Sequence, residues 1–170
     1  INQRIGSMFL AFSYPVMKRI TYWPQKKIGL TFNWGIIMAW AAVNNNVSYE
    51  IITLYVSAIF WTLGYDTIYG AQDMEDDIII GVKSTSIKFK KNIKQFVSLS
   101  YFLMSLILLY LFRDMLGLNI FSSLLFLFIL SLVYQIKKFN KDKVEDCLNA
   151  FKFNNISGLI LFISICSVNV

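Results

Sequence analysis

The sequence predicts an all-α, polytopic transmembrane protein, a bundle of about six hydrophobic helices. Three observations carry this. The 170 residues are 56% hydrophobic and only 15% charged, against about 25% charged in a soluble domain, and the mean hydropathy is +0.56. Uncharged apolar runs recur along the chain and approach the roughly 20 residues needed to cross a bilayer core. Basic residues gather in every second connection between those runs.

Residues 5–17 form the first run, which is short for a span unless residues 1–4 or an upstream segment extend it. The chain opens on Ile rather than Met, and an upstream part is expected. Residues 28–43 form the second run and residues 51–65 the third, which closes on Asp66. Flanking residues, tilt and snorkelling bring both to spanning length. Residues 96–112, 120–136 and 156–170 complete the set. Asn44, Asn45 and Asn46 suggest an outer turn, and residues 140–142 a break in the last basic connection. With no repeat or Pro/Gly linker, residues 1–170 read as a single membrane domain.

The cations explain themselves by position. Lys18, Arg19, Lys26 and Lys27 follow the first run, Lys83, Lys88, Lys90, Lys91 and Lys94 the third, and Lys137, Lys138, Lys141, Lys143 and Lys152 the fifth. These three connections hold 14 of the 16 basic residues, the alternation that the positive-inside rule produces. The net charge of +6 is therefore a mark of topology, and nucleic-acid binding is not expected. A lipid bilayer is the expected surrounding, in a bacterial inner (cytoplasmic) membrane with the basic loops cytoplasmic. The absence of His excludes a Ser-His-Asp triad and an HExxH zinc site. Cys147 and Cys166 form no CxxC pair, so neither a disulfide framework nor a zinc ribbon is indicated.

Residues 65–86, YDTIYGAQDMEDDIIIGVKSTS, carry Asp66, Asp73, Glu75, Asp76 and Asp77, half of the chain's ten acids. At about 100° per residue, Asp73 and Asp77 lie within about 20° of Asp66 if the helix continues. One reading makes the run a solvated loop that balances nearby lysines. The other makes it a Mg²⁺ and diphosphate site, because Mg²⁺ favours one or two carboxylates plus phosphate oxygens. Solvation accounts for Glu75 and Asp76. It accounts poorly for Asp66, an ionisable group inside an apolar helix. Lys18 and Arg19, which follow Pro15, and Lys83 share the membrane face of the acids and suit phosphate oxygens. Asn154 and Asn155 have two readings, an N-cap of the last helix or polar groups in a binding pocket; the cap is preferred.

Three segments then carry a resemblance. YPVMKRITYWPQKKIG is similar to a YPxxKRxTxxPQxxLG pattern, YDTIYGAQDMEDDIIIGVKST to YDxxYAxxDxxxDxxxGxKST, and FKFNNISGLILF to NNxxGLxLF. Together they span Tyr14 to Phe162 and resemble the UbiA superfamily of intramembrane prenyltransferases, nearest its branch that acts on 4-hydroxybenzoate. Gly70 stands where the family commonly has Ala. The family's first Asp-rich motif, NDxxDxxxD, does not occur. The resemblance thus implies a UbiA-like bundle, N-terminally truncated, corresponding to the C-terminal two-thirds of the enzyme and inactive alone.

The implied reaction is transfer of a polyprenyl group from polyprenyl diphosphate to the ring of 4-hydroxybenzoate, in ubiquinone biosynthesis, with Mg²⁺ as cofactor. By position in the motifs, Asp73 and Asp77 are implied to bind Mg²⁺ through the diphosphate, and Tyr14, Lys18, Arg19 and Lys83 to contact phosphate oxygens. Asp66 is implied to aid the metal site or to orient the acceptor. The alternatives are another enzyme of the superfamily, of naphthoate, chlorophyll or haem type, and a non-catalytic membrane protein whose basic loops bind anionic lipid.

Overall fold

A computed structural model of the chain describes residues 17–169. The first predicted run therefore lies outside the described residues apart from its last one. Among the described residues there is no strand. The helices are α1 (Pro24–Phe32), α2 (Trp34–Asn44), α3 (Tyr49–Gln72), α4 (Met74–Ile80), α5 (Thr85–Lys88), α6 (Ile93–Leu111), α7 (Ile120–Lys138) and α8 (Val144–Cys166). Four of them, α3, α6, α7 and α8, are long and apolar enough to cross a membrane.

Local chemistry sets the ends. Pro24 stands in the first turn of α1, where its missing N–H costs nothing. Ser48 and Asn119 cap α3 and α7 by accepting from the backbone N–H of Ile51 and Ser122 at 3.4 and 2.8 Å. The expected outer turn is present: Asn45 closes α2 in the left-handed region, φ 52°, which Asn tolerates better than most residues.

Two departures matter. The second predicted run is not one helix but two, broken at Asn33. The Asn33 Nδ2 group lies 2.8 Å from the Gly29 carbonyl, 3.2 Å from the Ala58 carbonyl and 2.8 Å from Thr62 Oγ1. These acceptors hold the break against α3. The last helix begins at Val144, about three turns ahead of the apolar run that predicted it. Lys152 is thus a helix residue rather than a loop residue.

Neighbouring long helices pack in opposite directions. Tyr49, at the start of α3, and Tyr110, at the end of α6, line one groove. Ser164, late in α8, donates at 3.1 Å to the carbonyl of Phe121, early in α7. The core between α3, α6, α7 and α8 centres on Ile68, Val97, Met104, Leu125 and Phe128, all nearly inaccessible. A polar cluster crosses it. Tyr101 donates to Gln135 Oε1 at 3.0 Å, Gln135 Nε2 to Ser157 Oγ at 2.8 Å, and Ser131 to the same Ser157 oxygen at 2.8 Å. The buried groups of three helices satisfy one another, which is what burial of polar atoms requires.

Candidate functional site

The C-terminal end of α3 does not run on smoothly. It stops at Gln72, and Asp73 (φ −98°, ψ 9°) joins it to α4. The Asp77 N–H still donates to the Asp73 carbonyl at 2.8 Å, so the helical rise continues through the break and keeps the acids on one side. Gly81 then ends α4 at φ 79°, a conformation open to glycine at no steric cost. From there the chain folds back as Lys83, Ser84, Thr85 and Ser86.

Each residue of that return is tied to a different element. The Lys83 N–H donates to the Lys18 carbonyl at 2.8 Å. Ser84 Oγ caps α5 by accepting from the Ile87 N–H at 3.2 Å. The Thr85 N–H donates to Gln25 Oε1 at 3.0 Å, and its hydroxyl meets that of Thr67 at 2.7 Å. Ser86 Oγ donates to the Thr67 carbonyl at 2.8 Å. The segments around Lys18, Gln25, Asp66 and Lys83, far apart in sequence, become one unit.

They enclose a cleft of about 50 Å³ lined by Lys18, Pro24, Gln25, Ile28, Asp66, Tyr69, Gly70, Asp73 and Asp77. Of the residues singled out from the sequence, Asp66, Asp73, Asp77 and Lys18 meet here. Arg19 is exposed and does not line it. Lys83 does not line it either: its amine lies 3.3 Å from the Ile20 carbonyl and 5.5 Å above the Tyr22 ring. Tyr14 and Pro15 lie outside the described residues. Burial pushes the Asp77 carboxyl above the ordinary carboxylate range; Lys18 opposes the shift, and Asp73 and Asp76 add to it. Like charges that crowd one cleft favour a cation or a proton between them.

The donor set suits one class of cation. Carboxylate oxygens are hard ligands, and Mg²⁺ takes one or two of them and completes its shell with water and phosphate oxygens. Among the described residues no three potential ligands converge into a ready-made cage. The cleft fits Mg²⁺ shared with a phosphate-bearing ligand better than a metal held by protein alone.

The cap reading of Asn154 and Asn155 does not hold, since both lie well inside α8. Asn154 Oδ1 accepts instead from Trp61 Nε1 at 2.9 Å. Gly158, one turn further on, leaves room for the Trp61 ring, whose edge would stand 3.2 Å from a Cβ added there. Trp61 continues into a row of rings: Tyr65 at 6.1 Å, Phe151 a further 6.0 Å on, and Tyr69 at 4.8 Å from Phe151, at the cleft. Sequence reasoning quoted Gln25 and Tyr69 within motifs but gave neither a role. The available signal was a glutamine directly after a helix-starting proline.

Comparison with known proteins agrees with this arrangement. The UbiA prenyltransferase family matches residues 5–157. The mitochondrial 4-hydroxybenzoate polyprenyltransferase of Homo sapiens is 38% identical over 97% of this chain and 45% of its own length. The corresponding protein of Bos taurus is 39% identical over the same shares. This chain therefore spans less than half the length of these curated relatives. The apo structure of a UbiA homolog from Aeropyrum pernix K1 superposes with a TM-score of 0.75 over 96% of this chain and 62% of that one, at 19% identity, a likeness of fold. With the family's model matching most of its length, the chain belongs to the UbiA prenyltransferase family.

Proposed function

We propose that this chain forms part of a 4-hydroxybenzoate polyprenyltransferase, which moves a polyprenyl group from polyprenyl diphosphate onto the aromatic ring in ubiquinone biosynthesis. The observation that supports this most is the cleft in which Asp66, Asp73 and Asp77 face Lys18. Asp73 and Asp77 would hold Mg²⁺ together with the diphosphate, and the ion, when bound, would supply positive charge against the departing group. Lys18 neutralises phosphate oxygens directly. Arg19 and Lys83, at the rim on the same side, and Tyr14 are proposed as further phosphate contacts. Asp66 stands deepest along α3 and either supports the ion or orients the acceptor.

The C–O bond of the allylic diphosphate breaks with its electron pair leaving on oxygen. The ring carbon ortho to the phenol forms the new C–C bond, and the ring proton departs to restore aromaticity. Placement at a membrane surface lets the polyprenyl tail remain among apolar helices while the diphosphate meets water. The membrane is read as an inner membrane, with the basic loops toward the cytoplasm or, as the names of the mitochondrial relatives suggest, toward its equivalent, the matrix. This chain spans less than half the length of its curated relatives; turnover is proposed to need residues from the remainder as well, and the chain alone is proposed to be inactive.

The test is reconstitution. Membranes that hold the chain together with the N-terminal part of the human relative should transfer labelled prenyl groups to 4-hydroxybenzoate only when Mg²⁺ is present. Asp73→Ala should lower that rate by about 100-fold or more, the scale on which loss of an electrostatic stabiliser acts. Undiminished transfer by Asp73→Ala would remove the site assignment.

A further inference from the structure

Gln25 is only 3% exposed, yet it lines the cleft beside Lys18, Asp66, Asp73 and Asp77. A glutamine amide offers an accepting oxygen on one side and two donating hydrogens on the other, and its partners decide which way it points. Here the partner leaves no choice. A backbone N–H can only donate, and that of Thr85 meets Gln25 Oε1 at 3.0 Å. The NH₂ group therefore faces the other way, across α3, where a Cβ added to Gly70 would stand 3.3 Å from Nε2. The bare backbone of Gly70 is what leaves the amide room. The same Cβ would come within 2.8 Å of Ser86 Oγ, so Gly70 also allows the Thr85 and Ser86 turn to seat closely.

No acceptor among the described residues takes either hydrogen of Nε2. The side chain that carries them lines the cleft. We propose that Gln25 is a binding residue, whose fixed amide NH₂ donates to an anionic oxygen of the bound substrate, a phosphate oxygen of the diphosphate or the carboxylate of the aromatic acid. An uncharged donor suits this place. A lysine there would be drawn to the three carboxylates, whereas an amide pinned at its oxygen keeps its direction whether or not the acids are neutralised. The inference rests on the proposed function and adds to it a residue that carries no charge.

The experiment uses the chain joined in lipid nanodiscs by the N-terminal part of the human relative and reads binding by calorimetry, with inorganic pyrophosphate plus Mg²⁺ in one arm and 4-hydroxybenzoate in the other. Gln25→Glu retains an oxygen to accept from Thr85 but replaces the donor. The expected result is an affinity for pyrophosphate lowered about tenfold or more, with the Thr85 amide still protected from hydrogen exchange. The same loss in the 4-hydroxybenzoate arm alone assigns the donor to the carboxylate. Unchanged affinity for both anions overturns the role of Gln25 and leaves the cleft reading standing. A wild-type chain that binds neither anion overturns the cleft reading and this inference with it. Should Gln25→Glu fail to fold, the wild-type protein labelled with ¹⁵N-glutamine decides the matter. A shift of the Gln25 side-chain NH₂ on addition of either anion supports the proposal, and an unmoved signal at saturating ligand overturns it.

Discussion

Gly64 sits where α3 crosses the Tyr101 ring, and a methyl there would collide with that ring. Tyr101 cannot simply move aside, because its hydroxyl is held by Gln135, which is held in turn by Ser157. Gly64→Ala should therefore destabilise the bundle by about 1–3 kcal/mol, the usual cost of overpacking. Thermal unfolding in detergent checks it, and an unaltered Tm would show that the ring is freer than the network implies. Gly70 presents a milder version of the same geometry, since the side chains it meets, Ser86 and Gln25, end in a small hydroxyl and an amide. At this scale the sequence was an uneven guide. The three aspartates could be found from spacing alone because the helical period acts locally. Gln25 could not, because its role comes from Thr85, sixty residues away. Lys83 was legible as a cation close to the acids in sequence, but nothing in its neighbourhood showed that its amine would turn to Ile20.

Among the elements, the apolar runs located the spanning helices but not their interruptions. Asn33 breaks its run because Ala58 and Thr62 on α3 offer acceptors that a straight helix would not reach. Asn154 does not break its helix, since it accepts from Trp61 without leaving it. The same residue type has opposite outcomes, and only the partner helix decides between them. Asn33→Ala should remove the contacts to α3 and cost about 1–3 kcal/mol, again as a lowered Tm. A variant as stable as the wild type would mean that the break comes from the backbone of α1 and α2 and not from the asparagine.

For the molecule as a whole, topology is the property that can be tested most directly. Lys91 and Asn46 are both exposed and should lie on opposite sides of the bilayer. In a Cys166→Ser background, an impermeant maleimide added outside sealed cells should label Asn46→Cys and spare Lys91→Cys; the reverse pattern would invert the orientation. Charge placement made this legible from sequence, because every second connection holds the lysines whatever the packing between them. The break at Asn33 also bears on how the protein is made. Helices α1 and α2 have 9 and 11 residues, so each reaches only about half of a hydrocarbon core roughly 30 Å thick. Neither half can be released into lipid alone with the polar amide of Asn33 exposed between them. Two of its three acceptors are on α3, the next long segment to leave the ribosome. Residues 24–72 are therefore expected to enter the membrane together, as a hairpin, rather than one arm at a time.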